Sequence, residues 1–304
     1  MRSAATPAPT AATGSVTGIG QMLTAMMLSG TIGVVVTEVG LAAHQVVFYR
    51  CLFAVAALGL WCWARGYFTP ALLERRTLGL VLLGGAFIVA DWVVLFAAFD
   101  HVSIGLATII LHLQPFFVVL IAAGLAGERP GTDALGWIAL AFAGLVAATG
   151  HVELGEGQAA LGVGLALLAA LLYAGATLCS RAVKGIRPEL TALVHVALGT
   201  VALAPFVDPA AAVELPGRSW ALLATLGIVH TGFMYALLYG AYQKLSAAAT
   251  AVLAFAYPAA AIGMDWLVYG RVLSPAQLAG LGAILLAGTA VNRGWRILPR
   301  RVAV

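Results

Sequence analysis

The chain reads LFAAFDHVSIGLATIILHLQP at Leu95–Pro115 and LYGAYQKLSAAATAVLAFAYP at Leu238–Pro258. The two stretches align without a gap, and after one inserted residue the match continues through a run of spaced glycines. The identical pairs are Leu95 and Leu238, Ala98 and Ala241, Ser103 and Ser246, Pro115 and Pro258, Gly136 and Gly280, Gly144 and Gly288, and Gly150 and Gly294. A duplicated hydrophobic unit indicates that the chain consists of two related halves.

The composition excludes a water-soluble protein. Of the 304 residues, 62% are hydrophobic and only 9% are charged, and the mean hydropathy is +1.01. So few polar side chains cannot cover the surface of a soluble domain, whereas helices in a bilayer need no such cover. The formal net charge of +4 does not indicate nucleic-acid binding. We therefore expect an all-α polytopic membrane protein whose main partner is the lipid bilayer.

Apolar runs separated by turn residues or charges predict ten transmembrane helices, five in each half. A helix needs about 20 residues to cross the hydrocarbon core. The predicted helices are 17–36, 44–64, 77–99, 103–126, 132–149, 159–181, 189–207, 220–243, 246–268 and 275–293.

The distribution of lysine and arginine predicts the orientation. With the N-terminus in the cytoplasm, only Arg218 and Arg271 fall in outside segments and Arg50 lies within a helix, while every other basic residue is inside. This distribution agrees with the positive-inside tendency, and it places the acidic stretch His151–Glu156 outside. Both termini are then cytoplasmic. Because each half has an odd number of helices, the second half must cross the membrane upside down, and such inverted repeats have a substrate site near the midplane.

We divide the chain into four segments on this basis. Residues 1–15 are expected to be a disordered N-terminal tail, 16–150 the first five-helix repeat, 151–294 the second five-helix repeat and 295–304 a basic cytoplasmic tail. The three cysteines show neither disulfide nor metal-ligand spacing, and we predict no metal site, no cofactor and no catalytic residue.

Aromatic residues form matching rows in the two halves. Trp92 and Phe96 lie one helical turn apart in the third predicted helix, and the repeat places Tyr235 and Tyr239 at the equivalent points of the eighth. Tyrosine hydroxyls inside a bilayer need polar partners, which a central cavity would supply. Packing between helices or toward lipid is the other interpretation of these rows.

Two charged residues, Asp91 and Arg50, lie away from the ends of the predicted helices. Asp91 is at mid-span, where a carboxylate costs about 3 kcal/mol or more, so it should face protein, water or substrate. It is interpreted as a proton-coupling site, as a partner for a substrate amine or as a buried structural acid. Arg50, near Glu38, is interpreted either as an arginine that snorkels outward or as one that pairs with an acid, and a structural ion pair is the favoured interpretation.

Polar residues and prolines at the middle of helices complete the candidate site. Pro115 and Pro258 occupy matching positions and should bend their helices, as hinges would require. Histidines at mid-membrane are more often pore or network residues than metal ligands. The predicted substrate-binding residues are Asp91, Trp92, Phe96, His112, Gln114, Tyr173, His230, Tyr235, Tyr239 and Tyr257.

The motifs resemble those of the drug/metabolite transporter superfamily in its ten-helix, two-repeat EamA form. The resemblance is carried by FYRCLFA at Phe48–Ala54, by LHLQPFFVVLIAAGLAGERP at Leu111–Pro130 and by AFAYPAAAIGMDWLVYGRVLSPAQLAGLGAILLAG at Ala254–Gly288. It implies alternating-access transport of small metabolites, commonly efflux across the bacterial inner membrane. It also implies a cavity lined by helices 1, 3, 4, 6, 8 and 9, with helices 5 and 10 outside it.

The favoured hypothesis is an exporter of amino acids, with aromatic or other neutral ones preferred, because the aromatic rows and Asp91 suit a ring and an amine. An exporter of lipophilic cations, drugs or other metabolites is the alternative within the same class. A receptor or sensor would usually bring a soluble domain, and an intramembrane enzyme would need a nucleophile–base pair or a metal set that we do not find. We expect a monomer or homodimer in a bacterial inner membrane, since arginine far outnumbers lysine and alanine and glycine are abundant.

Overall fold

The structure, a computed structural model, describes residues 15–102, 104–125, 131–149, 159–270 and 274–297. Every regular element in these ranges is a helix. The expected N-terminal tail as far as residue 14, the stretch His151–Glu156, Arg271 and the end of the basic tail from residue 298 lie outside the described residues.

The helices follow the predicted spans with a few interruptions. The first half contains α1 (Val16–Thr37), α2 (Ala43–Ala64), α3 (Arg75–Phe99), α4 (Ile104–Leu111), α5 (Gln114–Leu125) and α6 (Thr132–Thr149), with a short 3-10 turn at Pro70–Leu73. The second half contains α7 (Ala159–Ala182), α8 (Pro188–Leu203), α9 (Pro209–Val213), α10 (Gly217–Gly227), α11 (Met234–Tyr242), α12 (Ala247–Ala254), α13 (Ala256–Tyr269) and α14 (Pro275–Asn292). A 3-10 turn at Ala204–Phe206 follows α8.

Eight helical segments of the described chain are long and apolar enough to cross a membrane. Three of them combine consecutive helices: Leu106–Leu125, Gly217–Tyr242 and Ala247–Val268. The predicted helices 132–149 and 275–293 are present as shorter apolar helices, at Thr132–Ala148 and Pro275–Val291. The protein is thus a helical, polytopic membrane protein in its described part, while the count of ten spans stays a prediction.

Two helices that the sequence predicts as continuous are broken at the same place in the repeat. α4 ends at Leu111 and α12 ends at Ala254, each four residues before a proline, Pro115 or Pro258. A proline has no N–H for the carbonyl four residues earlier, and its ring clashes with that carbonyl, so the helix ends there. The sequence predicted a bend at each proline, and the structure shows a helix end.

The predicted helix 220–243 is also irregular. Its middle, Ile228–Phe233, is a π-helix between α10 and α11. The Thr231 hydroxyl donates to the carbonyl oxygen of Leu226, five residues earlier, at 2.9 Å. Such π-turns occur often at functional sites because they add a residue without ending the helix.

α6 and α14, which correspond to the fifth and tenth predicted helices, pack closely against each other. A Cβ on Gly144 would lie 2.7 Å from the Gly280 carbonyl oxygen, so both helices need glycine at this crossing. The Trp137 indole donates to the Trp295 carbonyl at 3.1 Å, and the Ile297 amide donates to Asp133 at 2.8 Å. This pair of helices forms one side of the bundle.

The remaining helices pack around the interior, and the contacts of α3 correspond to those of the equivalent helix in the second half. α3 packs against α7 and α8, and α11 packs against α1, with the π-helix packing against α2. A buried apolar cluster centred on Met22, Trp92 and Tyr239 joins these helices. The cavity described next lies within this cluster.

Candidate substrate cavity

A cavity of about 320 Å³ lies inside the bundle. Residues from α1, α2, α3, α4, α5, α7, α11, α12 and α13 line it, whereas α6 and α14 contribute none of the lining among the described residues. Of the ten predicted substrate-binding residues, eight line this cavity: Asp91, Trp92, Phe96, His112, Gln114, Tyr173, Tyr235 and Tyr257.

The aromatic rows of α3 and α11 meet at the cavity. Tyr235 and Tyr239 have ring centroids 5.7 Å apart, and Tyr239 and Tyr242 are 6.0 Å apart, so the three tyrosines form a continuous row of tilted rings. Trp92 of α3 is buried, and a Cβ on Gly199 would lie 2.7 Å from its ring. Both rows therefore present aromatic faces to one space.

The cavity is bordered by the two helix breaks. The imidazole of His112 stacks on the Tyr257 ring with 5.4 Å between centroids and 8° between planes. Its Nδ1 lies 2.7 Å from the carbonyl oxygen of Thr108, and Gln114 donates to the Thr177 hydroxyl at 3.0 Å. The break between α4 and α5 thus contacts the break between α12 and α13 through the side chains of His112 and Tyr257.

Two predicted site residues do not line the cavity. His230 lies on the π-helix with its Nε2 2.7 Å from the Thr31 hydroxyl. Tyr239 points to the buried His195, whose Nδ1 is 2.8 Å from the tyrosine oxygen and whose Nε2 is 2.9 Å from the Val81 carbonyl oxygen. These contacts join helices, and a role of His230 and Tyr239 in substrate binding stays a prediction.

The expected ion pair between Arg50 and Glu38 is absent from the described residues. Glu38 instead accepts a hydrogen bond from Arg218 at 2.8 Å, at the exposed end of the bundle. Arg50 lines the cavity, with its guanidinium carbon 5.4 Å from the centroid of the Trp92 ring. The sequence showed that Arg50 lies within a helix but not which face of α2 turns inward.

Sequence reasoning missed other lining residues. Met22 and Met26, one turn apart on α1, face the cavity, as do Tyr242 and Met234 on α11. Tyr242 belongs to the predicted aromatic row, so its position was open to inference. Methionines carried no polar signal, although flexible thioethers suit a surface that adapts to different ligands.

No cluster of three or more His, Cys, Asp or Glu side chains is grouped for metal binding in the described part of the chain. The aromatic faces, the amide and imidazole groups and the two charges can bind a small amphiphilic molecule. The prediction that the chain uses no metal and no cofactor remains untested.

The sequence model of the EamA-like transporter family matches residues 16–150 and again 160–293. The chain belongs to this family. The two matches correspond to the two halves of the duplication. Membership confirms the superfamily suggested by the motifs, and it shows that the protein is a membrane transporter.

Individual relatives agree with this membership. The uncharacterized transporter YxxF of Bacillus subtilis (strain 168) is 30% identical over 280 residues, which cover 91% of this chain and 89% of the relative. The pseudopaline exporter CntI of Pseudomonas aeruginosa is 26% identical over 256 residues, which cover 83% and 87%. These relatives are transporters, in keeping with the expectation that this EamA-like transporter is not an enzyme.

A solved crystal structure has the same fold. It matches with a TM-score of 0.78 and 20% identity, and the match covers 90% of this chain and 96% of that chain. At this identity the likeness concerns the fold alone.

Proposed function

We propose that this EamA-like transporter exports amino acids, aromatic and other neutral ones foremost, by alternating access. The observation that carries the proposal is the cavity in which Trp92, Phe96, Tyr173 and Tyr235 surround a buried carboxylate, Asp91. Aromatic faces suit an apolar or aromatic side chain, and a carboxylate suits an ammonium group. The cavity volume of about 320 Å³ is at the lower end of the range for small-molecule sites.

Alternating access is supported by the matched construction of the two halves. Gly84 of α3 packs against His195 of α8, and Gly227 of α10, at the equivalent repeat position, packs against Phe53 of α2. The helix breaks at His112 and Phe255 are also equivalent. Two halves with equivalent contacts can exchange conformations about a shared site, as inverted repeats do.

We further propose that ten helices cross the membrane as two inverted five-helix repeats, with both termini in the cytoplasm of a bacterial inner membrane. Contacts between distant basic segments support one basic face. Arg187 donates to the Tyr67 hydroxyl at 3.1 Å, and Lys244 donates to Gln21 at 2.7 Å. Positively charged ends gathered on one face favour the cytoplasmic side.

Uptake of radiolabelled amino acids into liposomes that hold the purified protein tests the function. We expect saturable flux of phenylalanine, tyrosine or tryptophan. Trp92→Ala should reduce it by about tenfold or more, because removing a buried aromatic contact costs about 1.5–3 kcal/mol. Trp63→Ala is the matched control, since Trp63 is 74% exposed at the end of α2.

The same liposomes separate coupled from passive transport. Flux is measured with and without a pH gradient, for the wild type and for Asp91→Asn. Flux that follows the gradient only when Asp91 is present makes Asp91 the coupling residue, and flux that ignores both identifies a facilitator. An absence of flux for every amino acid, in protein that elutes as a single folded species, contradicts the proposed substrate class.

A lipophilic-cation or drug exporter is the second candidate. It is favoured by one observation, the position of Asp91 among aromatic rings that attract cations. Competition by quaternary amines without competition by amino acids would support it.

A further inference from the structure

Arg50 is a charged cavity residue whose polar groups are incompletely satisfied. It lies within the first half of α2, and its Nε is buried without a hydrogen-bond partner. The Arg50 guanidinium lies over the face of the Trp92 ring. The ring holds the guanidinium in place but accepts no hydrogen bond from its N–H groups, which point outward in the guanidinium plane. A half-buried arginine in an apolar helix whose Nε is buried with an unused donor is unfavourable unless something binds it.

Asp91 is in the same condition on the neighbouring helix. Its side chain is buried, and its Oδ1 has no hydrogen-bond partner. Arg50 is near enough for the two charges to interact, yet among the described residues the two groups form no direct ion pair. Both line the cavity, so a ligand in the cavity has access to both charges.

We propose that Arg50 binds the carboxylate of the substrate while Asp91 binds its ammonium group, so that the cavity selects zwitterions. This inference rests on the proposed function and narrows its substrate class to compounds that carry both charges next to an apolar or aromatic group. An amine that lacks a carboxylate leaves Arg50 uncompensated, and an acid that lacks an amine leaves Asp91 uncompensated. Arginine offers paired N–H groups whose geometry matches a carboxylate, which a lysine does not.

The surroundings of Arg50 favour a ligand over a purely structural role. Tyr235 is close to Arg50, and together with Trp92 it places aromatic faces beside the guanidinium. A substrate whose carboxylate reaches Arg50 therefore places its side chain against the aromatic rows. A structural arginine would instead be expected to satisfy its donors within the protein.

Three probes that share a phenyl ring test the proposal: phenylalanine, phenethylamine, which lacks the carboxylate, and 3-phenylpropionate, which lacks the amine. Binding of each is measured by competition against radiolabelled phenylalanine, or directly with the radiolabelled probe, on the purified full chain. Uptake is measured in liposomes. The wild type should bind phenylalanine about tenfold or more tightly than either analogue, because each analogue leaves one buried charge unpaired.

Arg50→Gln should weaken phenylalanine binding by about tenfold or more and abolish 3-phenylpropionate binding, while phenethylamine binding is unchanged or tighter. Asp91→Asn should weaken phenylalanine and phenethylamine and spare 3-phenylpropionate. Arg65→Gln is the matched control, because Arg65 lies over Trp61 at the same 5.4 Å but at the exposed end of α2. Arg65→Gln should change none of the three affinities.

Equal weakening of phenylalanine and phenethylamine by Arg50→Gln, or no weakening of phenylalanine, overturns the proposal, since a structural arginine does not distinguish the probes. If Arg50→Gln fails to elute as folded protein, the proposal is tested with Arg50→Lys and with the order in which the three probes compete for the wild type. A wild type that binds phenethylamine more tightly than phenylalanine overturns the proposal. Arg50-dependent binding without uptake contradicts the proposed function alone. Uptake that ignores Arg50 contradicts the zwitterion proposal alone, and binding of none of the probes contradicts both.

Discussion

At the scale of the residue, burial of polar groups decides which side chains carry chemistry. His195 is buried but satisfied on both ring nitrogens, by Tyr239 and by the Val81 carbonyl, so it joins helices. Arg50 and Asp91 are not fully satisfied, and they line the cavity. The difference between these groups lies in their partners, because all three are polar residues in apolar helices.

Two glycines of α14, Gly280 and Gly282, differ in how closely other residues pack against them. Gly280→Ala should lower the thermal stability of the purified protein by several degrees, because the added Cβ would lie against the Gly144 carbonyl oxygen and 2.8 Å from the Ala148 amide nitrogen. Overpacking of this kind costs about 1–3 kcal/mol. Gly282→Ala, on the same helix with open space around it, should leave the melting temperature unchanged or raise it. Equal melting temperatures for the two variants would contradict the close α6–α14 crossing.

At the scale of the element, the helix breaks place backbone ends and the side chains of His112 and Tyr257 at the cavity. α4 and α5 share one membrane segment, as do α12 and α13, and each break precedes a proline. A break lets the two parts of a segment tilt separately, whereas a continuous helix would resist bending.

Removal of both prolines should therefore slow transport. In Pro115→Ala/Pro258→Ala, each alanine N–H can bond to the carbonyl four residues earlier and continue the helix, which stabilises it by up to about 3 kcal/mol. We expect the maximal uptake rate in liposomes to fall about tenfold with a smaller change in KM. Pro275→Ala is the control, since Pro275 is in the first turn of α14, where no intrahelical N–H is needed. Unchanged uptake by the double variant would show that the breaks do not act as hinges.

At the scale of the whole molecule, the two sets of helix ends differ in their charged residues. Arg65, Lys184 and Arg187 lie at the ends of helices that the sequence places in the cytoplasm, and the Arg218–Glu38 pair lies at ends that it places outside. The orientation in the membrane follows from this separation if the positive-inside tendency holds.

Labelling with a membrane-impermeant maleimide checks the orientation in intact cells. Arg218→Cys should be labelled from outside, whereas Arg65→Cys and Lys184→Cys should be labelled only after the cells are permeabilised. The wild type is the control, because Cys51, Cys62 and Cys179 are all buried. Labelling of Arg65→Cys in intact cells would show that the orientation is the reverse of the predicted one.

The amino-acid sequence by itself determined the class of fold, the duplication and eight of the residues that line the cavity. These features follow from local properties: apolar runs of membrane length, a repeat that aligns Trp92 with Tyr235, and prolines in the interior of predicted spans, where they interrupt a helix. Eight of the ten predicted binding residues line the cavity. A polar group at mid-span needs a polar partner or water, and the interior of the bundle supplies these whereas lipid does not.

The tertiary structure decided which side chains meet. The separation of Arg50 from Glu38, the pairing of His195 with Tyr239 and the stacking of His112 on Tyr257 each depend on how helices distant in sequence rotate against one another. Helix rotation is set by small residues such as Gly199 and Gly227 that let a partner approach closely. No single helix carries that information, because each contact depends on the shapes of two helices together.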